Sequence, residues 1–273
     1  MFCVSQFTTM PLSAKEDLEV YAKMRVEAME LCEAKFPEST AERKELVARL
    51  KDLPIEVTSV QPKVHSMFPD RMAGEPREPA KRLEAFKRSL GFWSESLEIK
   101  ELPFVLISGV APEQDLRSAW KEARKWIKEA AAFAEFCGAR IAFEPLGPCM
   151  MYFDTFVYGL DQGAKLIDAA ESQSAGLVVD AWHVWEEHDL KRRLRELAPR
   201  VFAVHVCDWP EGGPRGLDDR VLPGDGIIPL RDAILGPLRA GGYDGAFAVE
   251  VLSDEKFEDS LWRLPPRILL EKA

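Results

Sequence analysis

The chain has 273 residues, of which 47% are hydrophobic and 30% charged. That make-up excludes disordered and fibrous classes and leaves room for one large domain or two small ones. With 46 acidic against 36 basic residues the formal charge is −10, so no nucleic-acid partner is expected, because no diffuse positive field exists to displace counterions.

In chain order, short β-branched and apolar runs alternate with longer amphipathic stretches. Eight runs read as strands: "FCVSQF" (2–7), "VEAMELC" (26–32), "IEVTSVQ" (55–61), "FVLISG" (104–109), "RIAFE" (140–144), "GLVVD" (176–180), "VFAVHVC" (201–207) and "AFAVEV" (246–251). The second is the weakest, since alone it could extend the helix before it. Between the fourth and fifth, "QDLRSAWKEARKWIKEAAAFAEFCG" repeats Leu116, Trp120, Ala123, Ile127 and Ala130 at helical spacing and meets Gly138 at its end. The run "KRRLR" (191–195) reads as a solvated helix face rather than a partner site.

No Gly-, Pro- or Ser-rich linker divides the chain, so residues 1–273 are read as one domain, a single (β/α)8 TIM barrel of the α/β class. No GxGxxG follows a strand and no GxxxxGK[ST] occurs, which removes the usual support for a nucleotide-binding sheet. The cysteines at 3, 32, 137, 149 and 207 form no close pairs, no apolar run reaches the ~20 residues of a bilayer span, and "MFCVSQFTTMPLS" has no basic leader. A reducing, cytoplasmic setting with no membrane partner is the expectation.

Residues two apart on a strand share a face, and in a barrel one face lines the interior. On strands five to eight small residues face inward and an ionisable one closes the series: Ala142 then Glu144, Gly176 and Val178 then Asp180, Ala203 then His205, Ala246 and Ala248 then Glu250. Closure brings Glu144, Asp180, His205 and Glu250 to the C-terminal mouth, where barrel active sites are built. Three carboxylates in a confined site need a counter-charge. A single divalent metal supplies it, and one imidazole with three carboxylates suits Mn2+, Mg2+ or Co2+ and accepts Zn2+. Cys207 shares the face of His205 but reads as a core thiol; His65, in "QPKVHSMF", either reaches substrate from the mouth or is a satisfied surface histidine; His188 reads as solvated.

The series "AFEPLGP", "VVDAWHVW", "VHVCDW", "DRVLPGDG" and "VEV" resembles the sugar-phosphate isomerase/epimerase superfamily, the xylose-isomerase-like TIM barrels. The resemblance implies that Glu144, Asp180, His205 and Glu250 hold one metal ion. It further implies that Glu144 and Glu250 act as acid and base, and that His183 and Arg220 bind substrate oxygens. The function it implies is isomerisation or epimerisation of a sugar, inosose or related polyhydroxy carbonyl compound through a metal-stabilised enediolate. The partner is then a small carbohydrate-like molecule. Trp182, with Trp185 and Trp209, either walls the substrate pocket or braces the loop that aims His183.

The chain also departs from that family. Free-ketose epimerases carry a substrate-binding Glu where this chain has Met150, which argues against a ketohexose, and Met150, Met151, Tyr152 and Phe153 suggest an apolar pocket wall or ordinary loop packing. No cluster of Lys and Arg speaks for a phosphate. A lyase that dehydrates an inosose or a dehydroshikimate-like ring uses the same residues and stays open, as does a metal-free sugar-binding barrel. An endonuclease IV-like phosphodiesterase is disfavoured, because "LISGVAP" and "DDRVLPGDG" lack the histidines its zinc cluster needs. Trp262 either marks the interface of a homo-oligomer or is partly buried within the chain.

Overall fold

The computed structural model describes residues 1–151, 153–212, 216 and 219–252; Tyr152 and Trp262 lie outside the described residues. Eight parallel strands close into a barrel in sequence order. They are β1 (Phe2–Ser5), β2 (Ala28–Cys32), β3 (Glu56–Gln61), β4 (Pro103–Leu106), β5 (Arg140–Phe143), β6 (Ala175–Asp180), β7 (Val201–Val206) and β8 (Phe247–Val249). The helices around them are α1 (Ala14–Met24), α2 (Thr40–Lys51), α3 (Pro79–Leu97), α4 (Leu116–Phe136), α5 (Gly159–Asp168), the single turn α6 (Ala181–Val184), α7 (Leu190–Leu197) and α8 (Gly236–Ala240). Among the described residues no helix is long and apolar enough to cross a membrane.

All eight expected strands form, and the weakest of them has a local cause. A capping box between Ser13 and Glu16 opens α1, and Arg25 closes it in the left-handed region at φ 57°. The chain is thereby released to enter β2 instead of extending the helix. The ends differ by a few residues: the first run stops at Ser5 because Gln6–Thr9 winds into a 3-10 turn that Ser5 caps, and the fourth stops at Leu106.

Alternation holds around the barrel. Val105, Ala142, Val178 and Ala203 meet one another inside it, and Cys3, Ala28 and Ala248 form a second interior group. Ile141, Phe143, Leu177, Val179, Val204, Val206 and Phe247 face the helices in the main core. Gly176 is required by close approach: a Cβ there would come within 2.5 Å of the Phe202 ring and the Arg200 carbonyl. The α4 stripe begins later than expected, with Trp120 half-buried against the core. Ala119, Ala123, Trp126, Ile127, Ala130, Ala131 and Ala134 are buried, while Leu116 in the first turn is 50% exposed. Gly138 follows at φ +67° and ends the helix.

Candidate metal centre and pocket

The β-ladder places the site residues. Asp180 is registered with His205 across β6 and β7, and His205 with Ala248 of β8. Past the ends of β5 and β8 the ladder runs on, the Glu144 N–H donating to Leu106 and the Glu250 N–H to Val206. Glu144, Asp180, His205 and Glu250 are therefore brought to one level at the C-terminal mouth. All four are buried, and each offers a ligand atom within 4.8 Å of the others.

His205 Nδ1 lies 3.4 Å from Glu144 and 3.6 Å from Glu250. Asp180 Oδ1 accepts the Trp182 N–H at 2.8 Å, which fixes the carboxylate with Oδ2 free of hydrogen bonds from the described residues. Arg220 Nη2 lies 2.8 Å from that Oδ2 but off the hydrogen-bonding direction, so the contact is one of charge. Two buried ligand atoms, Asp180 Oδ2 and His205 Nδ1, are thus without a hydrogen-bond partner among the described residues. Buried polar atoms are rarely left so, and a cation between them would engage both. The donor set fits a divalent ion with a preference for oxygen.

The electrostatics agree with an acceptor site for positive charge. Burial, with Glu250 and Asp180 nearby, pushes the Glu144 carboxyl up to about 7, even though His205 works against it. For Asp180, burial is outweighed by the charge of Arg220 and the histidines, and the carboxyl sits below its ordinary value. Burial lowers His205, but Glu250, Glu30 and Glu144 overcome it and hold the imidazole well above its usual range. A divalent ion entering this cluster would displace protons from Glu144 and His205. Metal uptake should therefore release protons and strengthen as pH rises from 5 towards 8, which calorimetric titration in buffers of different ionisation enthalpy measures.

Arg220 and His183 complete the polar wall. The Arg220 guanidinium donates to a Glu250 carboxylate oxygen at 2.9 Å and to its backbone carbonyl at 3.2 Å, and stands over the Trp182 ring at 5.5 Å. Its Nη2 also donates to His183 Nε2 at 3.3 Å. Burial, with Arg220 nearby, takes His183 down to about 3, so the ring is neutral. A guanidinium only donates, so Nε2 accepts and the proton sits on Nδ1, a buried donor without a partner among the described residues.

His65, His183, Arg220, Glu144 and Glu250 line one cavity at the mouth. Trp182 is not among the lining residues; it packs with Cys207, Trp209, Leu222, Ile228 and Val251 beneath the loop that carries Arg220. Met150 lies under the cavity floor with Ile107 and Leu146, and Phe153 is 58% exposed. His188 is exposed, and Arg192 and Arg193 of the basic run pair with Asp189, Asp161 and Glu196 on the surface. All five cysteines are free.

Three acidic residues at the site were not singled out from the sequence. Asp208 binds the Trp209, Gly224 and Ile228 N–H groups and bridges to Val221, anchoring the loop that presents Arg220. Asp154 lines the cavity, accepting the Arg71 N–H at 3.1 Å and facing its guanidinium at 3.2 Å. A pocket carboxylate thus arises ten positions after Glu144 although Met150 replaces the expected one. Glu30 lies inside the barrel behind His205, and strand parity in "VEAMELC" was the signal for it, since Ala28, Glu30 and Cys32 alternate with residues of the outer face.

A family model described as xylose isomerase-like TIM barrel matches residues 18–270. No curated protein sequence matches the chain. Among solved structures, the IolI protein with a bound zinc atom shares 21% identity at TM-score 0.77, over 100% of this chain and 94% of that one. The 3-keto-D-glucoside 4-epimerase YcjR from E. coli shares 17% at 0.72, over 100% and 97%. D-psicose 3-epimerase from Clostridium cellulolyticum H10, solved with D-tagatose, shares 17% at 0.69, over 91% and 83%. At these identities the structural likeness is one of fold, and the family match extends over most of the sequence. The chain belongs to the xylose isomerase-like TIM barrel family.

Proposed function

We propose that the chain is a divalent-metal-dependent isomerase or epimerase of a sugar, inosose or related polyhydroxy carbonyl compound. The observation that carries this reading is the convergence of Glu144, Asp180, His205 and Glu250 in a buried cluster beside the His183–Arg220 pair. The zinc atom in IolI and the activities named for the two epimerases agree with it.

Glu144, Asp180, His205 and Glu250 would hold the ion. A divalent cation held there would supply polarisation of a carbonyl and its neighbouring hydroxyl, which would acidify the carbon-bound hydrogen between them. Glu144 follows β5, three places around the barrel from β8, which Glu250 follows, so the two carboxylates approach a substrate carbon from different sides. One takes the proton at a carboxylate oxygen and the other returns one. The Glu144 carboxyl, poised near neutrality, suits either role. Arg220 and the His183 Nδ1–H are donors for substrate oxygens, and Asp154 accepts from a hydroxyl further along the chain or ring.

The test is exchange of substrate hydrogen with solvent. Metal-loaded protein in D2O, offered a panel of ketoses, inososes and keto-glycosides, should introduce one deuterium beside the carbonyl of at least one of them. Loss of water from the product mass would instead assign a lyase, and absence of exchange with every member would overturn the reading.

A further inference from the structure

Behind the four proposed ligands the barrel interior holds a further carboxylate. Glu30 of β2 is fully buried. Its register neighbours are Ser5 on β1 and Ser59 on β3. Ser5 donates to its Oε1 at 2.8 Å and Ser59 to its Oε2 at 2.6 Å. Gln61 Nε2 donates to Oε1 at 2.9 Å and, with its other hydrogen, to Glu250 Oε1 at the same distance. From across the barrel His205 Nε2 meets Oε2 at 3.0 Å. Such investment in a buried anion is not needed to fill space, since Ala28 and Cys32 stand two residues either side of it on the same face.

A carboxylate can only accept here, held ionised by the hydroxyl and amide donors around it. The hydrogen of the shared contact therefore belongs to His205 Nε2. In the neutral imidazole that leaves the lone pair on Nδ1, the nitrogen that faces Glu144 and Glu250 and has no hydrogen-bond partner among the described residues. The geometry points to Glu30 as a positioning residue for the metal centre: through Nε2 it fixes the tautomer and ring orientation of His205 so that Nδ1 is presented to the ion. Gln61 ties the same carboxylate to Glu250, so two of the four ligands are held from one buried anchor. This inference rests on the metal-binding reading above. Carboxylate partners of a metal-bound histidine are typically worth ~10–100-fold in metal affinity.

Two measurements test it. In zinc-loaded wild-type protein, two-bond proton–nitrogen correlation of the His205 ring should show Nε2 protonated and Nδ1 ligated. Competition with a chromophoric chelator should show Glu30→Gln, which keeps the shape and removes the charge, binding Zn2+ about 10–100-fold more weakly than wild type. Wild-type protein that binds one ion, with Glu30→Gln within twofold of it, would overturn the positioning role and leave the metal centre standing. Wild-type protein that takes up no ion would overturn both. Should Glu30→Gln fail to fold, the ring assignment decides: ligation through Nε2 overturns the inference, and Nε2–H with Nδ1 bound upholds it.

Discussion

Replacing Glu144 with Gln should remove turnover by at least ~10^3-fold, because the change takes away the proposed ligand and proton carrier together. It should do so without unfolding the protein. In the metal-free chain the Glu144 carboxyl is pushed up to about 7, burial being the main cause. Its folded value thus lies above the ordinary carboxyl value of 4.5. The folded state then holds the proton more tightly than the unfolded one, and this group's contribution to stability is lost as pH rises towards and through 7. A neutral amide has no such loss. Metal-free Glu144→Gln should therefore melt at or above the wild-type temperature at pH 8 and show a smaller advantage at pH 5, which calorimetry at the two pH values reads directly. A large fall in the melting temperature would mean that the carboxylate serves the fold rather than the site.

Arg220→Ala should have the opposite character. The guanidinium is almost wholly buried and lies against both Asp180 and Glu250. Removing one partner of a buried charge network leaves the others uncompensated, at a typical cost of ~3–5 kcal/mol. Here two carboxylates would be left facing each other. Arg220→Lys should recover only part of the loss, since a point charge cannot reach Asp180, Glu250 and His183 at once as the planar fork does. Mn2+ or Zn2+ should restore stability to Arg220→Ala more than to wild type, because the ion then carries the counter-charge alone. Denaturant midpoints with and without metal give both comparisons; equal shifts in the two proteins would contradict the account.

Much of this was legible in the sequence, and the reasons are local. Period-two alternation with a charged residue at the strand end located Asp180, His205 and Glu250, because parity decides which face meets the interior. His183 and Arg220 came from the family resemblance of "VVDAWHVW" and "DRVLPGDG" and not from parity, and a single turn of helix carries His183 back over the mouth. Trp182 was harder. Its place depends on how the long loop after β7 folds over it, and hydrophobicity alone does not separate a pocket wall from a brace. Asp154 was missed because its approach to the pocket depends on Arg71, which is 83 positions away. Glu30 had the right parity but sat on the run most easily read as helix, and only the left-handed stop at Arg25 resolves that ambiguity. The Leu116 error on α4 came from starting the apolar stripe one turn too early.

The site is built from two kinds of position. The four proposed ligands stand on or just past strands, whose hydrogen-bonded ladder fixes them, while Arg220 and Asp154 stand on loops and need their own anchors in Asp208 and Arg71. Such a division would let the metal cluster stay constant while loop residues choose the substrate, consistent with fold-level function residing at the βα loops.

The central claim is that these four side chains hold one divalent ion. Diffraction from crystals grown with Mn2+, recorded above and below the manganese absorption edge, tests it most directly. The account predicts a single anomalous peak about 2.0–2.3 Å from a carboxylate oxygen of Glu144, Asp180 and Glu250 and from Nδ1 of His205. No peak at this position, with the Arg220 guanidinium still seated between Asp180 and Glu250 at saturating metal, would contradict it.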